Sequence, residues 1–105
     1  MEEVYKIIVE IELHHVKYEQ LIQKGTFIEF KGLYVSSIGL MTCYICNVEL
    51  MDKMTLFYKL ELLFPTDESL TVLNEDSTIY LFKGSTEFAK GNVTKNIGWI
   101  ERRTE

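Results

Sequence analysis

From Val4 to Leu13 the chain alternates. Tyr5, Ile7, Val9, Ile11 and Leu13 are apolar, and Lys6, Glu10 and Glu12 fall between them. A repeat of two predicts a strand with one face wet. His14 to Lys24 loses the repeat, while Tyr18, Leu21 and Ile22 stand at helical spacing. A loop with one helical turn, closed by Gly25, is expected there. Thr26–Lys31 returns to strand, Gly32 reads as a turn, and Leu33–Ile38 as another extended run. Gly39 separates these from Met41–Leu50, whose first half is apolar on both faces. That pattern predicts either a central strand or a strand at a subunit contact.

Asp52 and Lys53 read as a turn, and Thr55–Phe64 as a second clean amphipathic strand, with Lys59 and Glu61 on its wet side. Pro65 to Ser69 ends it, because proline lacks a donor and Asp and Ser favour turns. Asn74 to Ser77 is a further turn before Thr78–Lys83. After Gly84 and Ser85 a long last strand runs from Glu87 to about Arg102, in which Gly91 and Gly98 mark bends or bulges. Six to seven short strands predict an all-β fold, a small closed or nearly closed antiparallel barrel. No repeat or linker divides residues 1–105, so one domain is expected.

Composition agrees. Seven Val, ten Ile and nine Thr give 26 β-branched residues, whereas alanine and proline occur once each, at Ala89 and Pro65. Strand formers are therefore plentiful and the best helix former is nearly absent. At 105 residues a chain buries about two-thirds of its surface, enough for one core. No run of 18 apolar residues is present, which argues against a membrane-spanning helix. Met1-Glu2-Glu3 lacks the basic and apolar regions of a signal peptide. A cytoplasmic location with reduced cysteines is the expectation.

The net charge is −5, which opposes nonspecific nucleic-acid binding. It is uneven: residues 1–82 carry six basic and thirteen acidic groups, residues 83–105 five and three.

Candidate chemistry is sparse. Cys43-Tyr44-Ile45-Cys46 spells C-x-x-C, but it lies in a strand-like run where residues three apart point to opposite faces. Shared metal ligation and a disulfide both require convergence, so two strand thiols are expected and no metal site. His14 and His15 open a polar loop, with no G-x-S-x-G elbow to accompany them. Neither phosphate-binding glycine pattern is present. No cofactor and no catalysis are expected.

Carboxylates pair at Glu10/Glu12, Asp67/Glu68 and Glu75/Asp76. The first pair reads as a wet strand face. Asp67, Glu68, Glu75 and Asp76 form the densest acidic stretch and are the candidate surface for a basic partner. Lys90, Lys95, Arg102 and Arg103 form the alternative, nucleic-acid-facing set. Strict alternation with Val93, Ile97 and Trp99 would turn Lys95 inward as a buried amine. A bulge near Asn96–Gly98 or a snorkelling stem would turn it out.

About residues 56–100 resemble the C-terminal β-barrel domain of translation elongation factor Tu, and small standalone bacterial proteins made of that domain. The carrying residues are Leu60–Pro65, Ile79–Ser85 and Ala89–Lys95, with Gly84, Gly91, Val93, Thr94 and Lys95 at the family's turn and tail positions. Lys83 stands where the family carries glutamate. The arginine-bearing loops of the family's first half are missing, so no transfer-RNA contact carries over. The resemblance implies a six-stranded barrel and a binding role.

Together these readings predict a non-enzymatic domain that binds a protein, with an immunity or inhibitor protein against a basic toxin as the sharpest form. An RNA- or ribosome-associated barrel and a small-ligand barrel are the alternatives.

Overall fold

The computed structural model describes residues 2–32, 41–64 and 75–102. They form β1 (Glu2–Leu13), a 3₁₀ helix (Val16–Leu21), β2 (Phe27–Gly32), β3 (Met41–Asp52), β4 (Phe57–Phe64), β5 (Thr78–Lys83) and β6 (Thr86–Arg102). All neighbours are antiparallel, and the order β1-β4-β3-β2-β5-β6 closes where β6 returns to β1. The fold is an all-β closed barrel of six strands. The expected runs at 33–38 and 65–69 lie outside the described residues.

Period-two alternation fills the interior. Ile7, Val9 and Ile11 of β1 meet Ile28, Phe30, Cys43, Ile45, Leu60, Leu62, Ile79, Leu81, Phe88 and Val93 from the other strands in one buried cluster. Burying an aliphatic or aromatic side chain stabilises by roughly 1.5–3 kcal/mol each, so this cluster dominates the packing. Phe30 and Phe64 meet edge to face at 5.1 Å. Among the described residues the barrel interior is a packed hydrophobic core.

The segment after β1 closes one end. His15 Nδ1 accepts from the Lys17 amide at 3.0 Å and caps the 3₁₀ helix. Ile22 then inserts into the core and Tyr18 packs on Phe88. The irregular spacing of Tyr18, Leu21 and Ile22 is thus that of a plug.

Three details depart from the sequence reading. β4 starts at Phe57, because Leu56 takes a left-handed conformation (φ 57°) in a turn over residues 53–56. Gly32 belongs to β2, paired with Ile79 of β5. Gly91 is no bulge: it lies opposite Ile11, so close that a Cβ would stand 1.9 Å from the Glu10 carbonyl oxygen. β6 bulges instead at Phe88, Thr94 and Ile97, where its register against β5 or β1 skips a residue. Seventeen residues would run roughly 55 Å if straight. The longest dimension of the molecule is 38 Å, so the strand must coil, and the bulges bend it.

Candidate functional site

The bulge at Thr94 decides the fate of Lys95. Val93 faces inward opposite Val9, but Lys95 pairs with Ile8 on the outer face and is exposed. A buried amine is therefore excluded. The expected bulge near Asn96–Gly98 is present at Ile97, yet it is the earlier one, at Thr94, that turns the lysine out.

Strand pairing assembles a groove on the outside of the barrel. Outward positions of neighbouring strands form two rows: Tyr80, Lys90, Glu12 and Phe57, then Thr78, Asn92, Glu10 and Lys59. Between them lies a concavity of about 500 Å³, lined by Glu10, Glu12, Asp76, Lys90, Asn92 and Phe57 among others. Gly91 presents only backbone there, so the β1–β6 seam stays low.

Asp76 reaches the groove from the turn before β5. Its left-handed conformation (φ 70°) is one that Asp tolerates. Three bonds tie this turn to β6. The Asp76 amide donates to the Val93 carbonyl at 2.7 Å, the Val93 amide to the Ser77 carbonyl at 2.9 Å, and Asn92 Nδ2 to the Asp76 carbonyl at 3.2 Å. The backbone thus holds the Asp76 carboxylate in place and leaves its oxygens available.

Three carboxylates (Glu10, Glu12, Asp76) face one ammonium (Lys90), and among the described residues none of the four takes part in an ion pair. Lys90 lies over the Tyr80 ring at 5.9 Å. At the rim, His14 Nε2 meets Glu87 Oε2 at 2.6 Å, both partly exposed. The groove therefore carries excess negative charge with an aromatic floor at Phe57.

The two rival sets from the sequence are rearranged. Asp76 and Lys90, one from each set, line the same groove. Glu75 is turned away to accept from the Asn96 amide at 3.3 Å. Lys95 stands apart on the face beside Ile8, and Arg102 pairs along the backbone with Glu2 at the far end of β6. Asp67, Glu68 and Arg103 lie outside the described residues. Glu10 and Glu12, read from sequence as a wet strand face, are its central pair. Their alternation with core residues was visible, but their neighbours on β6 are about eighty residues away in sequence.

The remaining titratable groups sit elsewhere. Cys43 is buried in the barrel, where desolvation pushes its thiol far up. Cys46 occupies a bulge of β3 and donates to the Glu61 carbonyl at 3.4 Å; burial raises its thiol and Lys6 partly offsets this. On that face Lys6 pairs with Glu61 at 2.6 Å, and Asn47 Nδ2 donates to the same carboxylate at 2.9 Å. These bonds lower the Glu61 carboxyl and raise the Lys6 ammonium. Among the described residues no cluster of His, Cys, Asp and Glu has the arrangement of a metal site, and no helix is long and apolar enough to cross a membrane.

Comparison with protein-family models, with curated proteins and with solved structures gives no match to this chain. None of the three links residues 56–100 to the elongation-factor barrel.

Proposed function

We propose that the chain is a protein-binding domain that acts by occupancy rather than catalysis, and that its groove receives a basic, extended segment of the partner. The observation that carries this reading is the set of three carboxylates that make no ion pair among the described residues, around an open groove of about 500 Å³. A lysine or arginine from a partner would supply the missing counter-charge while its stem lies along Phe57. The net charge of −5 would speed encounter with a cationic surface. Inhibition of a basic toxin is the specific role that this charge and open groove fit within the class.

The test is fluorescence anisotropy with a labelled Arg/Lys-rich peptide, set beside a labelled RNA oligonucleotide of equal length. Glu10→Gln with Glu12→Gln keeps shape and removes two charges. At low salt the peptide is expected to bind the wild type about tenfold more tightly than the double variant, from two exposed charge contacts. Equal binding by both proteins, or tighter binding of the oligonucleotide, would sink the proposal.

A further inference from the structure

The groove contains a cation of its own, and strand register fixes what stands on either side of it. On one flank of Lys90 is Tyr80, directly opposite across the β5–β6 ladder. On the other is Glu12, directly opposite across the β1–β6 ladder. No register shift separates the three, so all of them point outward. Phe57 stands beyond Glu12, opposite it on β4. The row thus runs aromatic, cation, anion, aromatic across four neighbouring strands. Directly opposed side chains lie about 5 Å apart at Cβ, so the Lys90 ammonium reaches either neighbour.

An opposed lysine and glutamate attract each other. Here they do not pair. Lys90 Nζ lies over the Tyr80 ring, 5.9 Å from its centre, and no ion pair joins Lys90 to Glu12. Lys90 and Glu12 are both exposed and Tyr80 is half-buried. In water a cation–π contact and an ion pair contribute similar small amounts, so neither seat dominates. Lys90 therefore has two places to rest, and only the seat on the ring leaves the Glu12 carboxylate free for another cation.

We propose that Lys90 is a built-in competitor that regulates the groove. On Glu12 it shuts the groove to a basic partner, and on Tyr80 it opens it. This regulation rests on the reading of the groove as a receptor for a basic segment. Tyr80 is outside the groove lining, so its part is to hold Lys90 away rather than to touch the partner. The partner's cation then takes Glu12 with Phe57 at its side, as Lys90 takes the face of Tyr80. A site whose competent state is partly populated binds more weakly by that fraction. The division of Lys90 between its two seats therefore sets the affinity of the groove.

The first measurement is proton NMR of the free protein, which needs no partner. A ring current shifts protons above an aromatic face upfield, so the Lys90 Cε protons are expected upfield of those of Lys95. Tyr80→Leu should return them to the Lys95 position. The second is the anisotropy titration with the Arg/Lys-rich peptide at low salt, with circular dichroism to check the folding of each variant. Tyr80→Leu is expected to weaken binding about threefold, because Lys90 moves to Glu12. Lys90→Gln should tighten it about fivefold. Lys95→Gln, the same change of net charge outside the groove lining, should tighten it about twofold or less. In the Lys90→Gln background Tyr80→Leu should make no difference. Wild-type Lys90 protons at the Lys95 position overturn the proposal. So does a Tyr80→Leu effect that persists without Lys90, or a Lys90→Gln gain no larger than that of Lys95→Gln. Any of these results with a wild type that binds the peptide leaves the groove reading standing, whereas no binding by any variant sinks both.

Discussion

Tyr58 shows how a polar atom is accommodated at the edge of this core. Its ring is buried against the barrel, while its hydroxyl donates to Glu19 beside the plug. Burial first, and the Glu19 carboxylate second, push its ionisation from 10.0 up to about 12. The unfolded chain thus loses this proton first as pH rises. The contribution to stability is complete below pH 10 and is lost on approach to pH 12. Tyr58→Phe should cost about 1 kcal/mol at neutral pH and flatten the fall above pH 10, as read by urea unfolding against pH. An unchanged slope would show that Tyr58 does not report this environment. The thiols make a second residue-level case. Cys43 should resist a maleimide until the barrel unfolds and Cys46 should react slowly in the native state, giving one labelled site by mass. Rapid labelling of both would contradict the burial of Cys43. The inward direction of Cys43 was legible from alternation. The outward direction of Lys95 was not, because a single bulge reverses it and Thr94 carries no glycine to announce one.

The strands themselves were largely written in the period-two pattern, and β1, β4 and β5 fall close to where alternation puts them. Ends and bends were less visible. Leu56 turns left-handed without being glycine, and β6 bulges at Phe88 and Thr94, where no glycine stands, as well as at Ile97 beside Gly98 (φ 96°). Bulges follow from barrel closure, a property of all six strands at once, so no local window contains them. Gly91 illustrates the constraint. At this point the β1 and β6 backbones come close enough that a Cβ would clash with Glu10 and Ile11. Both neighbours are backbone and cannot swing aside, so one strand must shift. Gly91→Ala is expected to destabilise by about 3 kcal/mol, a Tm drop on the order of 15 °C. A calorimetric change under 3 °C would mean that the seam is looser than described. The Lys6–Glu61 pair, which ties β1 to β4 on the outer face, should matter far less. Its lowered Glu61 carboxyl adds stability above the ordinary carboxylate range, and that increment fades as pH falls through the folded value. Glu61→Gln should therefore narrow the gap between neutral and acidic stability.

The groove exists only when the barrel closes. Glu10 and Glu12 come from β1, Phe57 from β4, Asp76 from the turn before β5 and Lys90 from β6. The sequence marked an acidic turn and a basic final strand as rival surfaces, and closure brings one residue of each into a single concavity. The candidate carboxylates were legible one by one as outward or turn positions, but their convergence was not, since it depends on the β1–β6 register. The proposed recognition therefore belongs to the outer wall, where among the described residues these carboxylates make no ion pair. The most direct measurement is an ¹⁵N–¹H correlation spectrum titrated with the Arg/Lys-rich peptide at low salt. The account predicts amide shifts concentrated at Glu10, Glu12, Asp76, Lys90 and Asn92, suppressed by salt. Shifts confined to Lys95–Glu101, or spread evenly with none at the groove, would contradict it.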